Sequence, residues 1–590
     1  TAEIGLEKTI VQTVFLPGSE TPVTFTAQTD RPWLHVSPAS GVIPPQGITL
    51  TITADPGSLS LGANTGTLLI SYGSSGKRST TNGSTPPANV PVSVSLVTPV
   101  GPSGKNTPSA EALIIPAVGH APGANNSLFQ SDIRVANTAT QAMTYQLNFT
   151  PSGTDGTVTG SSTTIQVNPG ATVALNDVLA SFFGTGPGGT ALGVLEIRPL
   201  TTTTTSSAVT SSLASPTIAS SRTYNVTADG TLGQYIPAVP FSKFIGQVAG
   251  EASPVLSMQQ IAESDTYRTN LGIVEGSGQQ AEVLIRVFDA AGTLIGDMTE
   301  SLKPFEHKQI NSIASTFGVK LDDGRIEVEV TSSTGKVTAY ASRVDNQTND
   351  PLLVQPVVKS EVQASRYVVP GIAFIDGLAK WRSDVRIFNA GSSTTTATLT
   401  YFPQGNPAAA MSKEVTLEDG QVMALDNVLA NFFGITEAVA GGSLLVSTPA
   451  PTSLVATART YADTEEGTYG LFAPGVTPDD SVGVGQRSLH LLQLEQSNDF
   501  RTNIGIVETT GNPTRIEVSL ILPDSKVTPR VPIDLPANGF VQFPLSAFNA
   551  GNAVYNARAV VKVLSGSGKV SAYGSVIDNR TSDSTYVPAQ

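Results

Sequence analysis

The chain of 590 residues contains no cysteine, so neither disulfide bonds nor thiolate metal sites can stabilise it. It also has no apolar run close to the roughly 18 residues that a membrane-spanning helix requires. Charged residues make up only 14% of the chain, against about 25% in an average soluble domain. Ser, Thr and Gly take their place. Stability must therefore come from apolar packing and from backbone hydrogen bonds.

The chain also has a deficit of positive charge. It carries 33 basic and 47 acidic side chains, a net charge of −14. Nucleic acids and anionic membranes repel such a surface, so we expect no nucleic-acid partner and no membrane insertion. No basic segment followed by an apolar one opens the sequence, and its first residue is not Met. We therefore expect a secreted, extracellular or cell-surface protein whose signal peptide has been removed.

Alternating apolar and polar residues are the commonest pattern, as in the segments 47–57, 90–97, 281–292 and 515–524. Gly, Pro, Asn and Ser bound these runs at short intervals. A period of two with frequent turn residues predicts β-sandwiches, and the length predicts several of them. We expect an all-β chain.

Four copies of one unit follow residue 110. Each contains an aromatic residue, a polar residue, Ser or Thr, and then Asp or Asn, before an apolar strand: "FQSDIRVAN" (129–137), "YRTNLGIVE" (267–275), "WRSDVRIFN" (381–389) and "FRTNIGIVE" (500–508). The first and third copies have Asp, and the second and fourth have Asn. The pattern predicts two duplicated two-domain modules, 113–357 and 367–590.

The copies share two further landmarks. The odd copies contain "ALNDVLASFFG" (174–184) and "ALDNVLANFFG" (424–434). They predict a short helix that Asn or Asp caps and Gly ends, with degenerate forms in the even copies. Each copy then closes with a polar turn and a strand that contains Pro. Because Pro cannot donate a hydrogen bond, we expect these closing strands at sheet edges.

Residues 30–71 contain a Trp-Leu strand, a Ser-Pro-x-Ser-Gly turn and a Gly-x-x-x-Gly-Thr strand, in that order. The residues that carry this pattern are Trp33, Leu34, Ser37, Pro38, Ser40, Gly41 and the segment 62–67. The segment resembles the BACON family of bacterial immunoglobulin-like domains, which implies a β-sandwich. Only "TAEIGLE" stands where the family's first strand should be, so we expect the first sheet to lack a strand in cis. The repeats resemble those of exported β-repeat proteins of environmental bacteria, a resemblance that implies no activity.

We therefore predict a tandem array of five immunoglobulin-like β-sandwich domains, with one short helix in each of the last four. The predicted boundaries are 1–98 for the BACON-like domain, 99–110 for a linker, 111–234 for repeat 1, 235–358 for repeat 2, 359–366 for a linker, 367–471 for repeat 3 and 472–590 for repeat 4.

Residues that could carry catalysis are scattered. The four histidines, His35, His120, His307 and His490, occupy unrelated positions in the repeats. The segment "GTGPGG" (184–189) has the letters of a dinucleotide-binding loop, but a helix precedes it and a strand follows, the reverse of what phosphate binding requires. We expect no enzyme and no cofactor.

Acidic turns are the one pattern that fits a metal, since calcium takes six to eight oxygen ligands. The candidate ligands are Asp345, Asn346, Asp350, Asp578, Asn579 and Asp583. The alternative is an Asx turn that closes a hairpin.

Two functional hypotheses remain. The first is a structural subunit of an extracellular filament or surface array: a stiff row of domains joined into a homopolymer by strand complementation between chains. The subunit-contact candidates are Ile4, Leu6, Ile10, Tyr586, Val587 and Pro588. The second is an adhesin or carbohydrate-binding protein. A glycan partner has little support, because aromatics are 6% of the chain and the two tryptophans, Trp33 and Trp381, fit core positions better.

Overall fold

The computed structural model describes most of the chain and is almost entirely strand. The described residues are 2–3, 10–16, 23–45, 47–54, 62–72, 88–97, 108, 111–122, 127–186, 188–200, 217–523, 526–548 and 553–590. The all-β prediction and the series of sandwich domains are confirmed. Within the described part, no helix has the length and apolar character of a membrane span.

The N-terminal domain is a sandwich of two small sheets. Its strands are β1 (Ala2–Glu3), β2 (Ile10–Leu16), β3 (Val23–Thr29), β4 (Leu34–Ser37), β5 (Ser40–Ile43), β6 (Ile48–Ala54), β7 (Gly62–Tyr72) and β8 (Ala88–Val97). The sheet orders are β1-β8-β7-β3-β5 and β2-β6-β4. Trp33 is buried in the core between them, as predicted. β1 pairs with β8 in parallel, so this chain itself occupies the edge that was expected to lack a strand.

Repeats 1 and 3 each form one continuous curled sheet. Repeat 1 contains β9 (Leu113–Pro122), β10 (Leu128–Asn137), β11 (Met143–Pro151), β12 (Ser161–Val167), β13 (Thr172–Leu175), α1 (Val178–Phe183), β14 (Ala191–Leu200), β15 (Thr217–Thr227), β16 (Gly230–Pro237) and β17 (Val239–Pro240). Repeat 3 contains β27 (Ala364–Asp376), β28 (Lys380–Asn389), β29 (Thr395–Pro403), β30 (Met411–Leu417), β31 (Val422–Leu425), α2 (Val428–Asn431), β32 (Val439–Thr452), β33 (Leu454–Thr464) and β34 (Gly467–Pro474). The orders are β12-β11-β14-β9-β10-β15-β16 and β30-β29-β32-β27-β28-β33-β34.

Repeats 2 and 4 divide the same strands between two separate sheets. Repeat 2 contains β18 (Val255–Glu263), β19 (Tyr267–Glu275), β20 (Ala281–Asp289), β21 (Leu294–Leu302), β22 (His307–Ile310), β23 (Leu321–Val330), β24 (Val337–Asp345), β25 (Pro351–Val354) and β26 (Val357–Val358). Repeat 4 contains β35 (Leu489–Gln496), β36 (Phe500–Glu508), β37 (Thr514–Ile521), β38 (Val531–Leu535), β39 (Phe540–Pro544), β40 (Val554–Gly566), β41 (Val570–Asp578) and β42 (Ser584–Pro588). Short 3-10 helices lie at Phe241–Lys243, Ile313–Phe317, Lys359–Glu361, Pro407–Ala409 and Leu545–Phe548.

The short helices confirm one prediction and correct another. Val178 and Leu179 of α1 face the core, and Gly184 ends the helix with φ +68°, as expected. The predicted cap is wrong: Asp177 has a left-handed backbone and makes no capping hydrogen bond. Its carboxylate instead lies 2.9 Å from His120 Nδ1. The landmark Asp132 holds the start of the helix, because its Oδ1 accepts the Asp177 N–H at 2.9 Å.

Three predicted boundaries fall inside strands. The boundary at 234 divides β16, the one at 366 divides β27 and the one at 471 divides β34. β16 and β34 continue because they pair along their whole length with β15 and β33, and β27 pairs with β32 from Ala364 onward.

The four repeats form a closed ring, where the sequence suggested a row. The closing strands β16, β25, β34 and β42 are edge strands of their sheets, as their prolines predicted. Each contacts the closing strands of both neighbouring repeats, so repeat 4 returns to repeat 1. Side chains cross the junctions as well: Phe472 of repeat 3 packs in the core of repeat 2, and Tyr235 of repeat 1 packs in the core of repeat 4. The ring covers four sheet edges that would otherwise be open.

Candidate functional site

The turn 578–583 of repeat 4 forms hydrogen bonds with the tip of the β15–β16 hairpin of repeat 1. We call this contact the clasp. Asp578 Oδ2 accepts hydrogen bonds from the backbone N–H and the hydroxyl of Thr231, at 2.9 and 2.8 Å. Asp583 Oδ2 accepts the N–H of Gly233 at 2.8 Å. Both carboxylates are buried. The turn is therefore one of the elements that close the ring.

The same clasp recurs between repeats 2 and 3. Asp345 Oδ2 accepts the N–H and hydroxyl of Thr468 at 3.1 and 2.6 Å, and Asp350 Oδ2 accepts the N–H of Gly470 at 2.9 Å. The hairpin tip must carry a glycine, since Gly467 has φ +125° and an added Cβ would lie 2.7 Å from Thr348 Cγ2. Two clasps thus alternate around the ring.

The clasp accounts for most of the predicted calcium turns. Asp345 Oδ1 accepts the N–H groups of Gln347 and Thr348 at 2.8 and 3.1 Å, which is the Asx-turn alternative. The Asn346 and Asn579 carbonyls accept hydrogen bonds from Arg268 and Arg501, both at 2.8 Å. The described residues include no group of three or more His, Asp or Glu side chains placed to hold a metal.

The second Asp of each turn meets its counterpart at the centre of the ring. The carboxyls of Asp350 and Asp583 lie within hydrogen-bond reach of each other. Neither Oδ1 has an N–H or O–H partner, although both atoms are buried. Burial raises the pKa of both carboxyls, that of Asp583 to about 6, and the negative charge of Asp583 raises the pKa of Asp350 further. We therefore expect the pair to share one proton, because ionisation of both buried carboxyls in contact is unfavourable.

The subunit-contact candidates at the C-terminal end of the chain are buried or half-buried. Tyr586 and Val587 are buried, and the Tyr586 ring stacks on Tyr573 with centroids 5.0 Å apart. Pro588 is half-buried opposite Tyr573 in the β41–β42 ladder. Gln590 contacts repeat 1 through the Ala219 carbonyl at 2.7 Å. These residues would reach a second chain only if β42 or the clasp opened.

The N-terminal candidates give less information. Ile4 and Leu6 lie outside the described residues. Ile10 begins β2, where its backbone lies opposite Ala54 of β6. Their predicted role in subunit contacts stays a prediction.

One histidine sits in an arrangement that superficially fits catalysis. His307 Nδ1 lies 2.5 Å from Ser152 Oγ, and its Nε2 lies 3.0 Å from the Tyr340 hydroxyl. The ring is fully buried, and burial lowers its pKa to about 4. A general base works best with a pKa near the operating pH and needs access to the substrate. This trio therefore serves as a polar contact between repeats 1 and 2.

A cleft of about 750 Å³ lies between repeats 1 and 2 and was not foreseen from the sequence. Its walls come from β9, β10, β14, β15 and β16 on one side and from β19, β22, β24 and β25 on the other. Glu466 and Tyr469 of repeat 3 and Thr581 of repeat 4 complete its rim. Ser342 donates a hydrogen bond to Gln234 Oε1 at 3.1 Å and so joins the two walls. All four repeats thus contribute to one concave site.

The duplicated module differs from the first module at one point of the cleft wall. An added Cβ at Gly371 of repeat 3 would lie 2.2 Å from the Tyr573 hydroxyl, so that tyrosine fits directly against β27. Ala117 is the equivalent residue of repeat 1 and has the Cβ that Gly371 lacks. The equivalent tyrosine, Tyr340, directs its hydroxyl to His307 instead. Alignment of the two modules shows the difference between Ala117 and Gly371, so this difference could have been predicted from the sequence.

Comparisons with known proteins match two parts of the chain. A model of a family of unknown function (DUF5719) matches residues 257–481. This segment runs from β18 to just beyond β34 and includes the whole clasp between repeats 2 and 3. No curated protein matches the chain.

Among solved structures, the chain is similar to the crystal structure of tripeptidyl peptidase 2, at 10% identity and a TM-score of 0.13. The similarity covers 80% of this chain and 39% of that one, so the chain spans less than half of its length. A TM-score this low supports no conclusion about function. Near the N-terminus of the chain, the model of the viral BACON domain matches residues 11–82. This match confirms the BACON-like character of the N-terminal domain.

Proposed function

We infer that the four repeats form a non-enzymatic extracellular binding protein, with the cleft between repeats 1 and 2 as its ligand site. The observation that carries this inference is the cleft itself. Its volume of about 750 Å³ lies within the roughly 300–1,000 Å³ typical of small-ligand sites. The clasps hold its walls and rim in place, so little ordering is needed when a ligand binds.

A single thiol tests this function without knowledge of the ligand class. Because the chain has no cysteine, Ala228→Cys creates one labelling site on an exposed residue of the cleft wall. The matched control is Glu465→Cys, the equivalent exposed position on the repeat 3 hairpin. Each variant is labelled with an environment-sensitive fluorophore. It is then titrated with neutral oligosaccharides, uronic-acid oligosaccharides, peptides and nucleotides.

We expect a saturable response to at least one class at position 228 and none at position 465. Equal responses at both positions, or no response to any class, would show that the cleft is not a ligand site.

A filament subunit is the second candidate, and the clasp favours it. The contact of repeat 4 with repeat 1 has the same partners as that of repeat 2 with repeat 3. Repeat 4 of one chain would therefore fit repeat 1 of the next. Strand complementation through the N-terminus is the other route to a polymer.

Electron microscopy of the full chain separates these routes. Deletion of residues 1–16 should abolish filaments held by the N-terminal strand, whereas Asp578→Ala should abolish filaments held by the clasp. Monodisperse single rings in the unaltered protein at high concentration would contradict both.

A further inference from the structure

We propose that the cleft takes a neutral, polyhydroxylated ligand, such as a segment of an uncharged glycan, and that Asn225 selects it. This proposal rests on the proposed function, because it names the ligand class of that same site.

Asn225 lies on the wall of the cleft in β15. Its side chain is 7% exposed, and its Oδ1 has no hydrogen-bond partner. A buried amide oxygen without a partner is destabilising. The same amide offers both a donor and an acceptor to a group in the cleft. A ligand hydroxyl would satisfy it, since a hydroxyl is itself both donor and acceptor.

The second module lacks these polar groups at the equivalent positions. The segments 220–237 and 457–474 align without a gap and share the Arg-Thr-Tyr and Gly-Thr-x-Gly residues. Ala462 stands in place of Asn225 and is fully buried, and Leu471 stands in place of Gln234. The fold therefore does not require an amide at either position. Gln234 already accepts a hydrogen bond from Ser342, whereas Asn225 Oδ1 has no partner, so Asn225 is the amide that indicates a role in binding.

The charges around the cleft disfavour an anionic ligand. Arg268, the only cation among the described residues that line the cleft, donates hydrogen bonds to Asn346 and Asn349 at 2.8 and 3.2 Å. The lining carboxylates are Asp229 and Glu466, both exposed. A uronate or sulfated chain would meet these charges at the entrance, and a neutral chain would not.

Apolar surface completes the match to a sugar. The rings of Phe129 and Tyr469 line the cleft together with Leu232 and Ile236. Carbohydrates present C–H faces as well as hydroxyls, so they pair with a wall that mixes rings and amides. A purely apolar ligand would leave Asn225 without a partner.

Two exchanges between the modules test the proposal. Asn225→Ala installs the residue that repeat 3 has, so the protein should melt at the same temperature or higher. Ala462→Asn is the matched control, placing the same amide in the second module. Binding of a neutral oligosaccharide is measured for both with the fluorophore at position 228. We expect at least tenfold weaker binding for Asn225→Ala and unchanged binding for Ala462→Asn.

Each outcome has a defined meaning. Equal binding by the Asn225→Ala and unaltered proteins would overturn the role of Asn225. A response only to uronic-acid oligosaccharides, peptides or nucleotides would overturn the neutral ligand class and leave the proposed binding function intact. No response to any class would overturn both.

Discussion

Removal of the Asp578 carboxylate should open the ring between repeats 4 and 1. Asp578 Oδ2 accepts both hydrogen bonds from Thr231, and its Oδ1 accepts the N–H groups of Arg580 and Thr581 at 2.8 and 3.3 Å. The side chain is fully buried. In Asp578→Ala, the Thr231 amide would stay buried without an acceptor unless the interface separated.

The expected loss follows from the two hydrogen bonds that Asp578 Oδ2 accepts across the interface. A hydrogen bond to a charged group contributes about 1.5–3 kcal/mol, so the two together contribute roughly 3–6 kcal/mol. A loss of about 3 kcal/mol makes the open state about a hundredfold more populated. The repeats themselves should stay folded, because each retains its own core.

Amide hydrogen exchange measures this opening directly. The N–H groups of Thr231 and Gly233 should exchange about a hundredfold faster in Asp578→Ala, and those of Thr468 and Gly470 should not change. Asp345→Ala should give the reverse pattern. The control is Asp265→Ala, whose carboxylate is 92% exposed beside Lys320; it should alter neither clasp. If Thr231 exchanged within threefold of its normal rate in Asp578→Ala, the clasp would not be what closes the ring.

Three further predictions concern the centre of the ring and its turns. Because burial raises the pKa of Asp350 and Asp583, the latter to about 6, the folded protein retains a proton that unfolded carboxyls lose near pH 4. The melting temperature should therefore fall as the pH rises from about 4 through 6, and it should fall less in Asp350→Asn; an equal slope in both proteins would contradict the shared proton. Gly467→Ala should lower the melting temperature more than Gly405→Ala, whose added Cβ meets nothing within 4 Å despite φ +73°; equal losses would mean that backbone strain alone matters. A chelator should leave the melting temperature unchanged, because N–H and O–H donors occupy both oxygens of Asp345 and Asp578 and one oxygen each of Asp350 and Asp583; a clear drop would instead indicate bound calcium.

The sequence predicted what depends on local pattern. Alternation of apolar residues placed the strands, and the four landmarks placed the repeats and their short helices. The landmark also distinguished the two types of repeat by its Asp or Asn. Asp132 accepts the Asp177 N–H at the start of the short helix of repeat 1, and Asn270 accepts the Ser312 N–H at the start of the short helix of repeat 2. These relations involve neighbours within one domain. The predicted helix cap failed in both odd copies, because Asp177 and Asn427 have a left-handed backbone where a capping residue has an extended one.

The ring and the cleft depend on residues far apart in the chain, and no local pattern reveals them. Thr231 and Asp578 are 347 positions apart, so their pairing appears only when both domains are folded. A signal existed nonetheless: both odd copies carry Gly-Thr-x-Gly, and both even copies carry Asp-Asn-x-Thr-x-Asp. Matching motifs in alternate copies indicate that they bind each other. In the same way, Asn225 opposite Ala462 was visible as a difference between copies.

The ring also changes how a polymer of this chain could form. A strand added at the edge of β16, β25, β34 or β42 would have to displace the neighbouring repeat, because the ring already covers these edges. Exchange of the clasp between chains loses no contact permanently. Opening of the ring exposes Asp578 and Thr231 together, and a second chain can restore both hydrogen bonds. The balance between closed rings and chains of rings is then a matter of concentration. A protein held in this way should form polymers that dissociate into single rings on dilution, whereas strand complementation should give polymers that persist.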